Sequence, residues 1–376
     1  MDKIKKNKDL LYIFQKGRLD KYKNQDFSHE FFYAFDKLDS LQLANLYEIN
    51  QPNETILVKL FIKPFYKLLV KLTKLNIDIV NSRDEILFEK IRNNKKIVAT
   101  SSRLGLVIVF WTLVKRIKNK EIIVINSGLF NNPELRLIQK ICRELYLRIF
   151  FNKVSKIVFT SKTEYEFAID NRPKYKSKYE LLEFSVDVKF WKNENESNFK
   201  EKEKILFIGN NGLRDFKKVI EIAKNLPKIE FIFISSDDEI LNCNLKNIEV
   251  IKGDWGESIL TDKQIREYYT KARLTILPIV DTLVASGTSV GLQSMAAGTP
   301  VLISKFKGFW NYELFKDKSN IFFCDSDSIH YWCKLINEIY EDDVLLKKIS
   351  INALETIKQH YDKDIFDQEF RKLIDV

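Results

Sequence analysis

One stretch of the chain, Leu274 to Ser304, restricts the possible fold more than any other. An apolar run at Leu274–Pro278 is followed by the small residues Ala285–Gly287, a helical pattern from Thr288 to a Gly-Thr-Pro stop, and a second apolar run at Val301–Ser304. Two buried strands joined by a helix favour a parallel sheet covered by helices on both faces. Small residues at a strand-to-helix turn let a ligand approach the backbone, and the helix start offers unpaired N–H groups to an anion. The stretch therefore favours a phosphate-binding turn, although a plain capped helix after a glycine turn explains the same residues.

The same alternation of strands and helices runs along the whole chain. The predicted strands are Leu10–Phe14, one strand within Leu41–Ile49, Ile77–Val80, Lys96–Thr100, Glu121–Ile125, Lys156–Thr160, Ile205–Gly209, Ile229–Ser235, Ile248–Ile251, Leu274–Pro278, Val301–Ser304 and Ile321–Cys324. The predicted helices include 29–38, capped by Ser28 with Glu30 in its first turn, and 56–76, 84–92, 216–226, 343–360 and 364–374.

A polar, charged run at Lys192–Glu203 interrupts this pattern and is predicted to be a linker. The fold class predicted from the pattern is α/β, with two doubly wound Rossmann-like domains facing a cleft. We expect a first domain at residues 1–192 and a second at 204–360, with a C-terminal helix at 361–376 that packs back on the first domain.

Charge is divided unevenly between the two halves. Residues 1–200 contain 38 Lys and Arg against 24 Asp and Glu, whereas the remainder contains 24 against 28. The first half is therefore expected to meet an anionic partner, with nucleic acid and a membrane surface as the candidates. No uncharged apolar run reaches about 18 residues, so no transmembrane helix is expected, and the basic start lacks the apolar run of a signal peptide. The four cysteines are scattered without metal-ligand spacing and are expected to be reduced and structural.

Four segments together point to a family. Leu292–Val301 reads Leu-Gln-Ser-Met-Ala-Ala-Gly-Thr-Pro-Val, Gly209–Asp215 is a glycine-containing turn with a basic residue, Phe184–Phe190 contains Ser-Val-Asp-x-x-Phe, and Ile157–Lys162 is a strand followed by Ser. These segments resemble the GT-B glycosyltransferases, in particular the large retaining group (glycosyl transferases group 1) that uses nucleotide-sugar donors. The resemblance implies an enzyme whose second domain binds the donor.

The resemblance also implies roles for single residues. Arg214 would pair with the donor diphosphate and act as the catalytic residue, and the turn Ser286 to Ser289 would hold the distal phosphate. Gln293 stands where the group has a ribose-binding Glu, and Ala285 stands where it has a Glu that contacts the donor sugar. A charged turn capped by Asp215 and an ordinary helical Gln293 are the plainer interpretations. The implied donor-binding residues are Gly209, Asn210, Arg214, Ser286, Gly287, Thr288, Ser289 and Gln293.

Loops after the strands of the first domain supply weaker, acceptor-side candidates. The segments around residues 15–18 and 101–103 follow predicted strands at equivalent ends, and residue 29 begins a predicted helix nearby. The candidates are Gly17, Arg18, His29 and Arg103, although turn and cap chemistry explains each of them equally well. The run Asp325–Asp327 is interpreted as a helix cap rather than an Asp-x-Asp metal motif. No metal and no other cofactor is expected, since the nucleotide sugar is a substrate.

A basic amphipathic helix is predicted within Ile56–Asn76, where Pro64 starts or kinks it. Five lysines at steps of four and three share one face, and no acidic residue occurs from Thr55 to Ile77. The predicted membrane-facing residues are Lys59, Lys63, Lys67, Lys71 and Lys74. On the residues alone, binding to an anionic membrane surface and an ordinary solvated helix face explain this pattern equally well. The resemblance to GT-B enzymes favours the membrane, since those that act on lipid-linked acceptors often use basic helices of the first domain.

The leading hypothesis is a glycosyltransferase that moves a sugar from a nucleotide-diphosphate donor to a lipid-linked or polysaccharide acceptor in cell-envelope biosynthesis. The expected location is cytoplasmic and peripheral, at the inner face of the plasma membrane. The first alternative is a non-catalytic, degenerate nucleotide-binding or partner protein, motivated by Ala285 and Gln293. A sugar-nucleotide epimerase of the same two-domain fold would bring more carboxylates and histidines together than this sequence offers. A nucleic-acid protein is least favoured because no recognised binding motif accompanies the positive charge.

Overall fold

Two parallel six-stranded sheets, one in each of two units, organise the chain in this computed structural model. The structure describes residues 9–49, 56, 58–130, 135–192, 199–210, 213–254 and 259–376, so residues 193–198 of the expected linker lie outside the described residues. Unit 1 consists of Met1–Lys23, Phe32–Leu182 and Glu369–Val376; unit 2 consists of Asn24–Phe31 and Glu183–Gln368. A short early segment of the chain, Asn24–Phe31, is therefore part of unit 2.

The sheet of unit 1 has the strand order β2-β1-β3-β4-β5-β6. Its strands are β1 (Leu10–Phe14), β2 (Ala44–Glu48), β3 (Lys96–Ala99), β4 (Glu121–Asn126), β5 (Lys156–Phe159) and β6 (Tyr179–Leu181). The central strands are apolar on both faces because helices cover both sides of the sheet. Strand β6 was not predicted. The strand predicted at residues 77–80 is wrong, since these residues form turns in which Ile79 N–H donates to Ile77 O at 2.9 Å.

Helices of unit 1 connect these strands. They are α1 (Arg18–Lys23), α2 (Phe35–Ser40), α3 (Lys63–Thr73), α4 (Glu85–Asn93), α5 (Ser102–Val114), α6 (Leu137–Lys153) and α7 (Lys162–Asn171). Pro64 lies in the first turn of α3, which follows a π-helical turn at Val58–Ile62. The helix predicted at 29–38 is wrong as one element, because Tyr33 and Ala34 adopt φ of 52° and 66° and separate a 3-10 turn from α2.

The sheet of unit 2 has the strand order β12-β11-β10-β7-β8-β9. Its strands are β7 (Lys204–Ile208), β8 (Phe231–Ser235), β9 (Ile248–Lys252), β10 (Ala272–Leu277), β11 (Val301–Ser304) and β12 (Phe322–Cys324). Its helices are α8 (Val188–Trp191), α9 (Phe216–Asn225), α10 (Asp238–Leu241), α11 (Asp262–Lys271), α12 (Thr288–Ala296), α13 (Ile329–Tyr340) and α14 (Asp343–His360). A last helix, α15 (Lys363–Leu373), begins in unit 2, and its final residues belong to unit 1.

Each sheet has a point where the strand order reverses. In unit 1 it lies between β1 and β3, and in unit 2 between β7 and β10. Loops leaving the carboxyl ends of two such strands diverge and leave room for a ligand. In unit 2 these loops are the turn that begins at Gly209 and the segment from Pro278 to Thr288, which the sequence had singled out.

Candidate functional site

Backbone hydrogen bonds join the two loops at the reversal point of unit 2. Asp215 N–H donates to Pro278 O at 3.0 Å, and Val280 N–H donates to Leu213 O at 3.1 Å. Arg214 thereby forms an isolated antiparallel bridge with Ile279. Asp215 also caps α9 by accepting from Lys218 N–H at 3.0 Å, so the N-cap of the plainer interpretation is present. These contacts fix the position of Arg214 against the loop that leads into α12.

Arg214 is a buried cation held by a neutral partner. Its Nη1 donates to the Ser286 hydroxyl, and its Nε lies 3.5 Å from Ile208 O. Burial lowers the pKa of the guanidinium to about 10, against the opposing effect of Tyr269, so Arg214 stays protonated at neutral pH. Among the described residues, no carboxylate lies within ion-pair distance of it. A buried, unneutralised cation favours an anionic ligand.

The glycine at 209 makes room for this arginine. A Cβ built on Gly209 would lie 2.5 Å from Cγ of Arg214, closer than non-bonded carbons approach. Gly209 N–H donates to Ile234 O at 3.1 Å, and Gly209 O accepts from the Ser235 hydroxyl at 2.5 Å. The Asn210 side chain accepts from Ser236 N–H at 2.8 Å, so its oxygen already supports the loop. Residues 211 and 212 of this turn lie outside the described residues.

The N-terminus of α12 supplies the second part of the site. The helix begins at Thr288, as predicted, and Gly287 precedes it with φ 81° and no side-chain cap. Ser286 and Thr288 are buried, Ser289 is half-buried, and the Thr288 hydroxyl donates to Ala285 O at 3.0 Å. The first N–H groups of a helix carry partial positive charge and bind anions. This helix start and Arg214, joined through Ser286, form a cradle suited to a phosphate group.

Gln293 lies five residues after the start of α12 and is fully buried. Its Nε2 donates to Glu30 Oε1 at 2.8 Å, and its Oε1 accepts from the Tyr269 hydroxyl at 3.3 Å. Trp191 Nε1 donates to the same Glu30 oxygen at 3.0 Å. Both ends of the Gln293 amide therefore have partners inside unit 2. Ribose binding by Gln293 stays a prediction, and it requires these bonds to be exchanged.

Glu30 reaches this cluster from the segment Asn24–Phe31, which also contains the half-buried His29. Its second oxygen, Oε2, is buried without a hydrogen-bond partner. Burial raises the pKa of the Glu30 carboxyl to about 7, and the charge of Asp262 adds to the rise. The expectation that Ser28 caps a helix is wrong, because its N–H and hydroxyl donate to Asp262 Oδ2 at 2.9 and 2.8 Å. No local pattern signals Glu30, whose partners lie far away in sequence.

Unit 1 contains a separate pocket of about 200 Å³, lined by both polar and apolar side chains, at its own reversal point. Gln15 and Lys16 line it after β1, and Arg103 lines it from the first turn of α5. The guanidinium of Arg103 pairs with Asp78, which also accepts from Asn81 Nδ2 at 3.0 Å. Of the acceptor-side candidates, the structure thus places Arg103 in a pocket. Gly17, with φ 88°, and the half-buried Arg18 lie just after Lys16 in the chain.

The acidic run Asp325–Asp327 follows β12. Lys218 Nζ contacts Asp327 Oδ1 at 2.9 Å, while Ser328, rather than the run itself, caps α13. Within the part of the chain that the structure describes, no group of three His, Cys, Asp or Glu side chains is placed to hold a metal ion.

A doubly wound parallel sheet in each of two units, with a ligand-sized opening at the reversal point of each sheet, is the architecture of the GT-B fold. Residues 189–356 match the family model described as "Glycosyl transferases group 1". No curated protein matches the chain in sequence.

Solved structures share the fold over most or nearly all of the chain at low identity. HepE from Anabaena, in complex with UDP and glucose, has a TM-score of 0.67 and 13% identity, and the match covers 98% of this chain and 99% of HepE. Sucrose-phosphate synthase from Thermosynechococcus elongatus has a TM-score of 0.70 and 12% identity, with 97% and 98% covered. A TarM mutant from S. aureus, in complex with UDP, fondaparinux and α-GlcNAc-glycerol, has a TM-score of 0.59 and 12% identity, with 78% and 58% covered. The predicted two-domain α/β fold is confirmed.

Proposed function

We propose that the chain transfers a sugar from a nucleotide-diphosphate donor to a lipid-linked or polysaccharide acceptor at the cytoplasmic face of a membrane. The observation that carries the donor part is the buried Arg214 on Ser286 beside the start of α12. A fixed guanidinium and helix N–H groups match the oxygens of a diphosphate. The HepE and TarM structures hold UDP, which makes UDP the first nucleotide to test.

The proposed chemistry is electrostatic. An acceptor hydroxyl attacks the anomeric carbon, the bond from that carbon to the phosphate oxygen breaks, and the diphosphate leaves with both bonding electrons. Arg214 and the N–H groups of α12 stabilise the negative charge that develops on the leaving group. The hydroxyl proton passes to the departing phosphate oxygen if the acceptor attacks from the face that the diphosphate leaves. No side-chain nucleophile is required in this scheme.

Replacing Arg214 by alanine tests the donor part. A lost charge-assisted contact of about 1.5–3 kcal/mol predicts UDP affinity weaker by roughly ten- to a hundredfold. Turnover should fall further, because the contact strengthens as charge develops. Isothermal titration calorimetry and a donor-hydrolysis assay measure the two effects. Lys217→Ala, at an exposed position three residues on, is the matched control. Near-normal UDP affinity and turnover in Arg214→Ala would overturn the assignment.

The membrane part of the proposal is supported by the lysines of α3 and the turn before it. Lys59, Lys67, Lys71 and Lys74 are exposed, and Lys63 is half-buried. Each lysine near anionic headgroups contributes about 1 kcal/mol of binding free energy. No helix in the described ranges is both long and apolar enough to cross a bilayer. Charge reversal at Lys67 and Lys71 should therefore weaken binding to phosphatidylglycerol vesicles by more than tenfold, whereas unchanged binding would count against a role for these lysines.

A second candidate is a non-catalytic nucleotide-binding protein. The contacts of Gln293 with Glu30 and Tyr269 favour it, since the residue at the expected ribose position is engaged by the protein itself. Intact UDP binding without donor hydrolysis or sugar transfer would support this candidate. Sugar transfer by the wild type that is lost in Arg214→Ala would exclude the non-catalytic candidate.

A further inference from the structure

Helix α6 exposes an unusual row of large apolar side chains. Five of them are 43–73% exposed: Leu137, Ile138, Ile141, Leu145 and Ile149. At about 100° per residue, they fall within roughly a third of the helix circumference. The opposite side of α6 carries Leu147, Phe150 and Phe151 into the core of unit 1. The helix is thus apolar on a buried face and also on an exposed face. An exposed apolar face of this size is typical of an interaction site rather than of a surface in contact with water.

Helix α3 packs against α6 and adds a second apolar stripe. Gln139 Nε2 donates to Lys71 O at 2.9 Å, and Arg143 Nη1 donates to Lys74 O at 3.0 Å, so α6 holds the C-terminal end of α3. Exposed apolar side chains at 48–67% continue along α3 and the turn before it: Leu60, Phe61, Phe65 and Leu68. Ile62 of that turn, and Tyr66 and Leu69 of α3, pack toward the core instead.

The charges on these two helices favour one kind of occupant. The segment from residue 56 to 76 contains five lysines and no acid. On α6 the one acid is Glu144, which is paired with Arg172 at 2.6 Å and with Arg148 at 3.3 Å. Pairing with these two arginines lowers the pKa of Glu144, so its charge is kept and compensated. Exposed apolar side chains surrounded by excess positive charge match the interface of an anionic bilayer.

We propose that the exposed apolar residues of α3 and α6, here called the α3–α6 face, insert into the interfacial region of an anionic lipid bilayer. The α6 residues enter among the acyl chains, while the lysines of α3 contact the headgroups. The inference rests on the membrane part of the proposed function and deepens it, because it names insertion rather than electrostatic attachment alone. The acceptor would then be taken from the surface on which unit 1 sits.

Binding of the whole chain to lipid vesicles tests the proposal. Leu137→Ser with Ile141→Ser should lower partitioning to phosphatidylglycerol vesicles at least tenfold. Val344→Ser with Ile351→Ser is the matched control, since both side chains lie on α14 of unit 2 and are 81% and 58% exposed. Because all four side chains are exposed, neither pair of substitutions should change the unfolding transition. UDP affinity should also stay unchanged, so failure of the membrane inference remains distinct from failure of the donor site.

Insertion depth separates the proposal from its rivals. A tryptophan at position 138 (Ile138→Trp) should be quenched by lipids brominated on the acyl chains. Vesicle binding that depends on the lysines, with no quenching and no effect of Leu137→Ser with Ile141→Ser, would show surface attachment only and overturn the proposal. Concentration-dependent self-association abolished by the same two substitutions, without vesicle binding, would identify a second copy of the chain as the occupant and also overturn it.

Discussion

The buried carboxyl of Glu30 makes the stability of unit 2 depend on pH, and Glu30→Gln should remove that dependence. In the folded protein the pKa of Glu30 is about 7, against 4.5 for an ordinary glutamate. The folded state therefore binds more protons than the unfolded state between these two values. By linkage, the free energy of unfolding falls as pH rises through this window, and it levels off above pH 7.

The magnitude follows from the two pKa values. A difference of some 2.5 pKa units corresponds to about 3 kcal/mol of stability that protonated Glu30 contributes at low pH. Most of this contribution is lost between pH 5 and pH 8. Glutamine can accept the bonds from Gln293 and Trp191 on its own Oε1, but its amide nitrogen would occupy the site of the unpartnered Glu30 Oε2. Unpaired amide donors cost about 1–3 kcal/mol at any pH. From pH 5 to pH 8, the free energy of unfolding of Glu30→Gln should therefore rise relative to that of the wild type by about 2 kcal/mol.

Urea denaturation at the two pH values, followed by tryptophan fluorescence, measures this shift. Glu267→Gln, an exposed change on α11 of the same unit, is the control and should alter stability equally at both pH values. Glu164→Gln provides a parallel case in unit 1. Glu164 is buried with Oε1 unpartnered, and burial raises the pKa of its carboxyl to about 7. A Glu30→Gln effect of the same size at pH 5 and pH 8 would refute the reasoning.

Three further substitutions test particular contacts. Gly209→Ala should displace Arg214, because the new Cβ would lie 2.5 Å from its Cγ, so UDP affinity in calorimetry should fall toward that of Arg214→Ala; wild-type affinity would contradict this. Gly287→Ala should cost about 1–2 kcal/mol in urea denaturation, since φ is 81° but the new Cβ meets neighbours only at 3.5 Å; a loss above about 4 kcal/mol would point to a cause other than backbone strain. Arg143→Ala should destabilise unit 1 by about 3 kcal/mol or more, because the carbonyls of Thr73, Lys74 and Leu129 lose their donor; a neutral effect in the same assay would show that water replaces it.

Most strands were predictable because a parallel sheet covered on both faces needs continuous apolar runs. Leu10–Phe14 and Val301–Ser304 have the predicted bounds, since each is a short apolar run that ends where turn residues begin. Tyr179–Leu181 was missed because it is a three-residue edge strand with a glutamate at its centre. Ile77–Val80 misled the prediction because its apolar side chains are buried under a turn rather than in the sheet.

The phosphate cradle was largely readable from local sequence. A glycine with positive φ, hydroxyl residues and a helix start occur within four consecutive residues, Ser286 to Ser289, so their proximity needs no knowledge of the fold. Arg214 was singled out by the family resemblance, not by a local pattern. Its contact with Ser286 depends on β7 and β10 being neighbours, a strand order that was not predicted from the sequence.

Gln293 marks the limit of what local sequence can tell about this site. A glutamine on an apolar helix is compatible with solvent, with a ligand or with a buried partner, and its neighbours on α12 do not decide between them. Its partner, Glu30, lies 263 residues away and enters unit 2 on an eight-residue segment, Asn24–Phe31. The local pattern around Glu30 indicated an ordinary helix start. A carboxylate therefore does lie beside position 293, but it comes from the opposite end of the chain. Only the tertiary structure shows that the buried glutamine donates a hydrogen bond to this buried carboxyl.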